Sequence, residues 1–187
     1  MKRKNFAKPL WFFLLTFLLM LIGQSTAFGY IHPADPIVVL AALMMPAPAA
    51  ILSTGLASIA ADLIKEEYTL VLITLAIRIL MVLWVKWIPS RIPQRKHEEL
   101  FAAPALVIPV IGYFFGQLIL SLLSGSVGSA LTDAVGTLTK NSIQAAASVL
   151  IFLLLYDLVK GYSAAKAQIK EKEQEEKEKE EGEETDE

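Results

Sequence analysis

The chain has 187 residues, 55% of them hydrophobic, with no cysteine, two histidines and a formal net charge of −2. With a mean hydropathy of +0.52, it has too little polar surface to cover a water-soluble domain of this length; the missing cysteines exclude a disulfide framework, a thiolate metal site and a cysteine nucleophile. The net charge conceals two regions, because residues 163–187 hold eleven acidic and five basic side chains, net −6, while the rest of the chain is +4.

In chain order, Lys2, Arg3, Lys4 and Lys8 precede an apolar run from Pro9 to Gly23, and Ser25-Thr26-Ala27 follows it. That arrangement can be read as a cleaved leader. The large Leu and Phe side chains of the run, and the early return to apolar sequence, favour a retained first helix over residues 9–24. Two further helices are predicted over 35–46 and 47–64. Between them stands Met45-Pro46-Ala47-Pro48, which either kinks one helix or closes a tight turn between two, since proline removes a donor and clashes with the preceding turn. Helices over 68–89, 102–124 and 138–162 complete the set, each compatible with the roughly 20 apolar residues a bilayer crossing needs.

Charge asymmetry decides between five spans and six. With six, the N-terminal cluster, Arg91, Arg95, Lys96, Lys160 and Lys166 all lie inside, and only Lys65 and Lys140 lie near outer ends. With five, the basic loop Ser90–Lys96 would be exported against the positive-inside tendency. The expectation is therefore an all-α membrane protein with six transmembrane helices and both termini cytoplasmic. Trp11, Trp84, Trp87, Tyr156 and Tyr162 then sit near the inner interface, and Tyr30 and Tyr68 near the outer one. Residues 1–162 form the membrane domain, and 163–187 a charged cytoplasmic tail, disordered or helical for a few turns through Lys/Glu pairs.

A polar group in hydrocarbon is costly unless it faces protein or a water-filled cavity. In the outer half this topology gathers Gln24, His32, Asp35, Asp62, Glu66, Tyr68, Gln117, Ser121, Lys140, Asn141 and Gln144, which predicts a shared cavity opening outward. Asn141 and Gln144 are three apart and share a helical face; such amides suit a heteroaromatic or amide-bearing small molecule. The alternative is that these groups only join helices. Arg78 falls near the midplane, where insertion of arginine costs about 2.5–3.5 kcal/mol, so it faces the interior or a partner, with Asp62 or Asp157 as counter-ion or with a role in binding. Small residues in Ser53-Thr54-Gly55, Ala57-Ser58, Ala60-Ala61 and Ala145-Ala146-Ala147 allow the third and sixth helices close approach to neighbours. No phosphate loop, zinc-protease helix or nucleophile elbow is present. No catalytic group, metal site, cofactor or nucleic-acid partner is expected.

Ala61-Asp62-Leu63-Ile64 closing one helix, Thr74-Leu75-Ala76-Ile77-Arg78-Ile79-Leu80 inside the next, Gly112-Tyr113-Phe114-Phe115 in the fifth and Asn141-Ser142-Ile143-Gln144 opening the sixth together resemble the substrate-binding S components of energy-coupling factor (ECF) transporters. The resemblance covers roughly residues 10–162. It implies a six-helix bundle in the cell membrane that captures a vitamin or related micronutrient on its outer side, partnered by a transmembrane coupling (T) subunit and two ATPase subunits. It also implies a site formed from the Gln24–Asp35 segment, Gln117, Asn141 and Gln144. Alanines four apart, frequent on the family's first helix, are absent here, where that helix reads Leu10-Trp11-Phe12-Phe13-Leu14-Leu15-Thr16-Phe17. The substrate-binding set expected from both readings is Gln24, Tyr30, His32, Asp62, Arg78, Gln117, Asn141 and Gln144. The alternatives are a structural scaffold of a cell-envelope complex and a stand-alone secondary transporter using Arg78 and Asp62.

Overall fold

The computed structural model describes residues 7–26, 29–87, 97–125 and 127–184, and among residues 24–31 it describes the backbone alone. The basic N-terminal cluster of Lys2, Arg3 and Lys4 and the basic loop Ser90–Lys96 therefore lie outside the described residues, as do the side chains of Gln24 and Tyr30. Helix α1 spans Ala7–Leu21. A two-stranded antiparallel ribbon follows, β1 Gln24–Thr26 with β2 Gly29–Ile31, in which Ser25 faces Tyr30. The other helices are α2 Asp35–Met44, α3 Ala47–Ile64, α4 Val71–Trp87, α5 Glu98–Ala102, α6 Ile108–Leu123 and α7 Val127–Glu184, with a 3-10 segment Ala103–Val107 joining α5 to α6.

The fold is thus helical apart from the ribbon, which the sequence did not suggest. Its three-residue strands lack the length for periodicity to register. Pairing two chain segments at the end of a bundle satisfies backbone groups that an open loop would leave bare. Among the described residues three helical stretches are long and apolar enough to cross a membrane: Ala47–Ile64, Glu98–Leu123 and Val127–Ile169. Helices α1 and α2 are apolar but shorter, at 15 and 10 residues.

The turn containing Pro46 separates two helices rather than kinking one. Met45 is extended at φ −132°, ψ 158°, while its N–H closes α2 on the carbonyl of Ala41. Pro46 caps α3 at φ −57°, ψ 147°. Helix α2 is the centre of the bundle, with every residue from Asp35 to Ala42 buried. A helix apolar on all sides belongs in an interior, and Asp35 in its first turn favours the positive end of the helix dipole.

Helix α3 packs against α1 and α4. It does so through Ala50, Ser53, Thr54, Ala57, Ser58 and Ala61, all buried and spaced as one helical face. The hydroxyls of Ser53 and Thr54 donate to the Ala50 carbonyl at 3.2 and 2.8 Å, so neither is orphaned. Helix α6 also approaches α4 closely at two glycines, Gly112 and Gly116, which lie four apart. A Cβ on Gly112 would stand 2.5 Å from Ile77 Cγ1, and one on Gly116 would stand 2.7 Å from Ile73 Cγ2. Only glycine permits that approach.

Backbone contacts divide the chain into residues 1–153 and 154–187. In the second unit the helix continues to Glu184, with the Lys160 ammonium 5.4 Å from the Tyr156 ring centre and Ser163 donating to Val159 O at 2.8 Å.

Candidate binding site

The end of α3 builds the floor of one cavity. Glu66 takes a left-handed conformation, φ 62°, and its N–H bonds to Leu63 O while that of Glu67 returns to Asp62 O at 2.9 Å. This paired closure satisfies the last carbonyls of α3 and turns Asp62, Lys65 and Glu67 toward the same space. Across it, Thr137, Lys140, Asn141 and Gln144 recur at helical spacing on α7, and Tyr113 and Gln117 do so on α6. With Met20 and His32 they line a cavity of about 100 Å³. It lies at the ends of α1 and α3 and the approaches to α2 and α4, against the middle of α6 and residues 137–144 of α7.

Behind this cavity lies a buried network. Arg78, 1% exposed, pairs with Asp35 and donates through Nε to Ser58 Oγ at 3.0 Å. The other carboxylate oxygen of Asp35 accepts from Gln144 Nε2 at 2.7 Å, and Gln144 Oε1 accepts the His32 backbone N–H at 3.3 Å. The Ala34 N–H donates to His32 Nδ1 at 3.4 Å, so the ring is held neutral. Burial agrees with that geometry, pushing the imidazole down to about 4, with Arg78 and Lys65 acting in the same direction and Asp35 opposing. Partial burial likewise lowers the Lys65 ammonium, against the pull of Glu67 and Asp62.

The counter-ion of Arg78 is therefore Asp35, in place of the Asp62 or Asp157 suggested by the sequence, because α2 and not α3 brings a carboxylate to its guanidinium. Of the eight residues expected to bind substrate, His32, Asp62, Gln117, Asn141 and Gln144 line the cavity. Arg78 does not; it holds Asp35, which holds Gln144. Both functional ends of Gln144 are engaged within the protein, so its role is to position the loop before α2. Gln117 donates to Ser121 Oγ at 3.2 Å, and Ser121 donates to Asp133 Oδ2 at 2.9 Å, tying α6 to α7.

Two buried polar atoms facing the cavity have no hydrogen-bond partner, Asp62 Oδ2 and Asn141 Nδ2. Their residues are 3% and 7% exposed. Tyr113, Thr137 and Glu67 were not among the expected polar residues. Tyr113 was readable from its place four residues before Gln117, on the same face. Tyr113 OH lies 3.1 Å from Thr74 Oγ1, and Thr74 in turn hydrogen-bonds Asp62. A larger groove of about 950 Å³ between α4 and α6 is lined by Leu83, Trp84, Trp87, Ile111 and Phe115; its apolar walls carry no polar cluster. Among the described residues no group of three or more His, Asp or Glu could hold a metal ion.

Comparisons of the chain with protein-family models, with curated proteins and with solved structures give no match. The site's own chemistry is what bears on function.

Proposed function

We propose that this protein is a substrate-capture subunit for uptake of a small micronutrient, a vitamin or vitamin precursor, across the cell membrane. In this reading six helices cross or enter the bilayer with both termini inside, and the cavity opens on the outer face. The observation that carries the proposal is that the polar cavity gathers residues from α3, α6, α7 and the turn before α2 at one end of an apolar bundle, with two buried polar atoms left for a guest. Stable bundles pair such atoms internally unless something else is to meet them. Transfer inward would be driven by a coupling subunit and two ATPases, as the resemblance to S components of ECF transporters implies, with this chain binding and the partners hydrolysing.

Native mass spectrometry of the protein purified in mild detergent from cells grown in rich medium tests the reading. A retained small molecule together with copurifying ATPase subunits is the expected result. A bare chain without ATPases, from cells whose vitamin uptake is unchanged by its deletion, would sink it.

A further inference from the structure

The chemistry of the two unsatisfied atoms narrows what the cavity takes. An oxygen of the Asp62 carboxylate accepts hydrogen bonds, and the Asn141 amide nitrogen donates them. Both are buried, both lack a partner, and both line one cavity of about 100 Å³. A cavity of about 150 Å³ takes benzene, so the guest inserts no more than about one small ring here. Within that single head group it must offer an N–H to Asp62 and an acceptor to Asn141.

Formal charge narrows the class further. The ionisable lining groups are Asp62 and Glu67 against Lys65 and Lys140, with His32 neutral. They sum to zero, and the ion pair behind them, Asp35 with Arg78, adds nothing net. A strongly anionic head such as a phosphate would meet the Asp62 carboxylate in a low-dielectric space, where like charges repel hardest. We infer that the site takes the uncharged head of a small molecule whose ring or amide edge carries an N–H donor and a carbonyl or ring-nitrogen acceptor. Lactam, cyclic amide and aminopyrimidine edges have this form. The donor goes to Asp62, the acceptor to Asn141, and any remainder of the molecule extends beyond the cavity. This assignment rests on the capture reading and specifies its ligand.

Saturation-transfer NMR on the full chain purified in detergent tests it with three single-ring probes: 2-pyridone, N-methyl-2-pyridone and benzoate. 2-Pyridone carries both required groups and is expected to bind. N-methylation removes only the donor, leaving Asp62 Oδ2 unmet, and should weaken binding about tenfold or more, the cost of an unmade hydrogen bond to a charged group. Benzoate should bind no better than the N-methyl compound. Asp62→Asn and Asn141→Asp, each checked for an unchanged melting transition, should weaken 2-pyridone binding to a similar degree. Equal binding of 2-pyridone and its N-methyl form, a preference for benzoate, or no binding by any of the three would overturn the assignment. The two readings separate cleanly. A retained native ligand lacking an N–H donor would overturn the head-group assignment and leave capture standing, whereas selective 2-pyridone binding by a chain without ATPase partners would do the reverse.

Discussion

Arg78 decides much of the architecture from a single position. A guanidinium in an apolar interior is tolerated only when paired and hydrogen-bonded, and here Asp35, Ser58 and two methionine sulfurs, Met81 and Met20, surround it. Breaking such a pair by removing one partner costs about 3–5 kcal/mol, while replacing both with apolar groups is often nearly neutral. Arg78→Met and Asp35→Leu are each expected to lower the melting temperature in detergent sharply, and the double variant to recover most of the loss; a double variant as unstable as the singles would refute the pairing. His32 adds a pH dependence. The unfolded imidazole takes its proton near 6.5 and the folded one only near about 4, so the unfolded chain binds more protons in between and stability falls as pH drops through that window. Melting measured at pH 7.5, 6 and 5 should show a progressive decline, absent in His32→Gln. The sequence marked Arg78 as costly but not its partner, because which carboxylate meets it depends on how α2 packs against α4, and no local pattern encodes that.

Close approach at glycine is the corresponding device at the level of elements. With Ile73 and Ile77 already within 3 Å of where a Cβ would sit, Gly112→Ala or Gly116→Ala must push α6 off α4 or force the isoleucines from their rotamers, an overpacking cost of about 1–3 kcal/mol. Thermal unfolding should fall for each, whereas Gly136→Ala, which meets nothing within 4 Å, should be tolerated or stabilising in its helix. The left-handed Glu66 makes the opposite case: Glu66→Gly relieves an unfavourable backbone conformation and should stabilise by up to about 1 kcal/mol. Helix boundaries were legible where apolar runs were long. Helix α3 occupies Ala47–Ile64, the range expected, and α4 is helical from Val71 to the last described residue before the basic loop, Trp87, inside its expected range. The start of α7 was not legible. Gly128, Ser129, Thr132, Asp133 and Gly136 read as a loop, yet the helix begins at Val127 and Asp133 accepts from both Ser121 and Ser129. A polar surface stretch looks the same in sequence whether or not a neighbouring helix supplies its partners. Omitting that stretch also hid Thr137 from the polar face of α7.

For the whole molecule, orientation is the property to measure. The chain has no cysteine, so single-cysteine variants report without background. In intact cells a membrane-impermeant maleimide should label Tyr68→Cys, which is exposed beside the cavity end, and should reach Lys166→Cys only after permeabilisation. The reverse pattern would invert the topology and place the cavity inside. Helix α2 bears on how the molecule comes to be made. At about 1.5 Å per residue its ten residues rise only about 15 Å, half of a hydrocarbon core of about 30 Å, and its first turn carries Asp35. The partner of that carboxylate, Arg78, is translated 43 residues later. Until α4 emerges from the ribosome, α2 has neither the length to lodge in lipid nor a counter-charge to shield its acid. In the proposed six-helix arrangement its insertion waits for α4 and proceeds with it, and a nascent chain arrested before α4 should leave this segment open to membrane proteases.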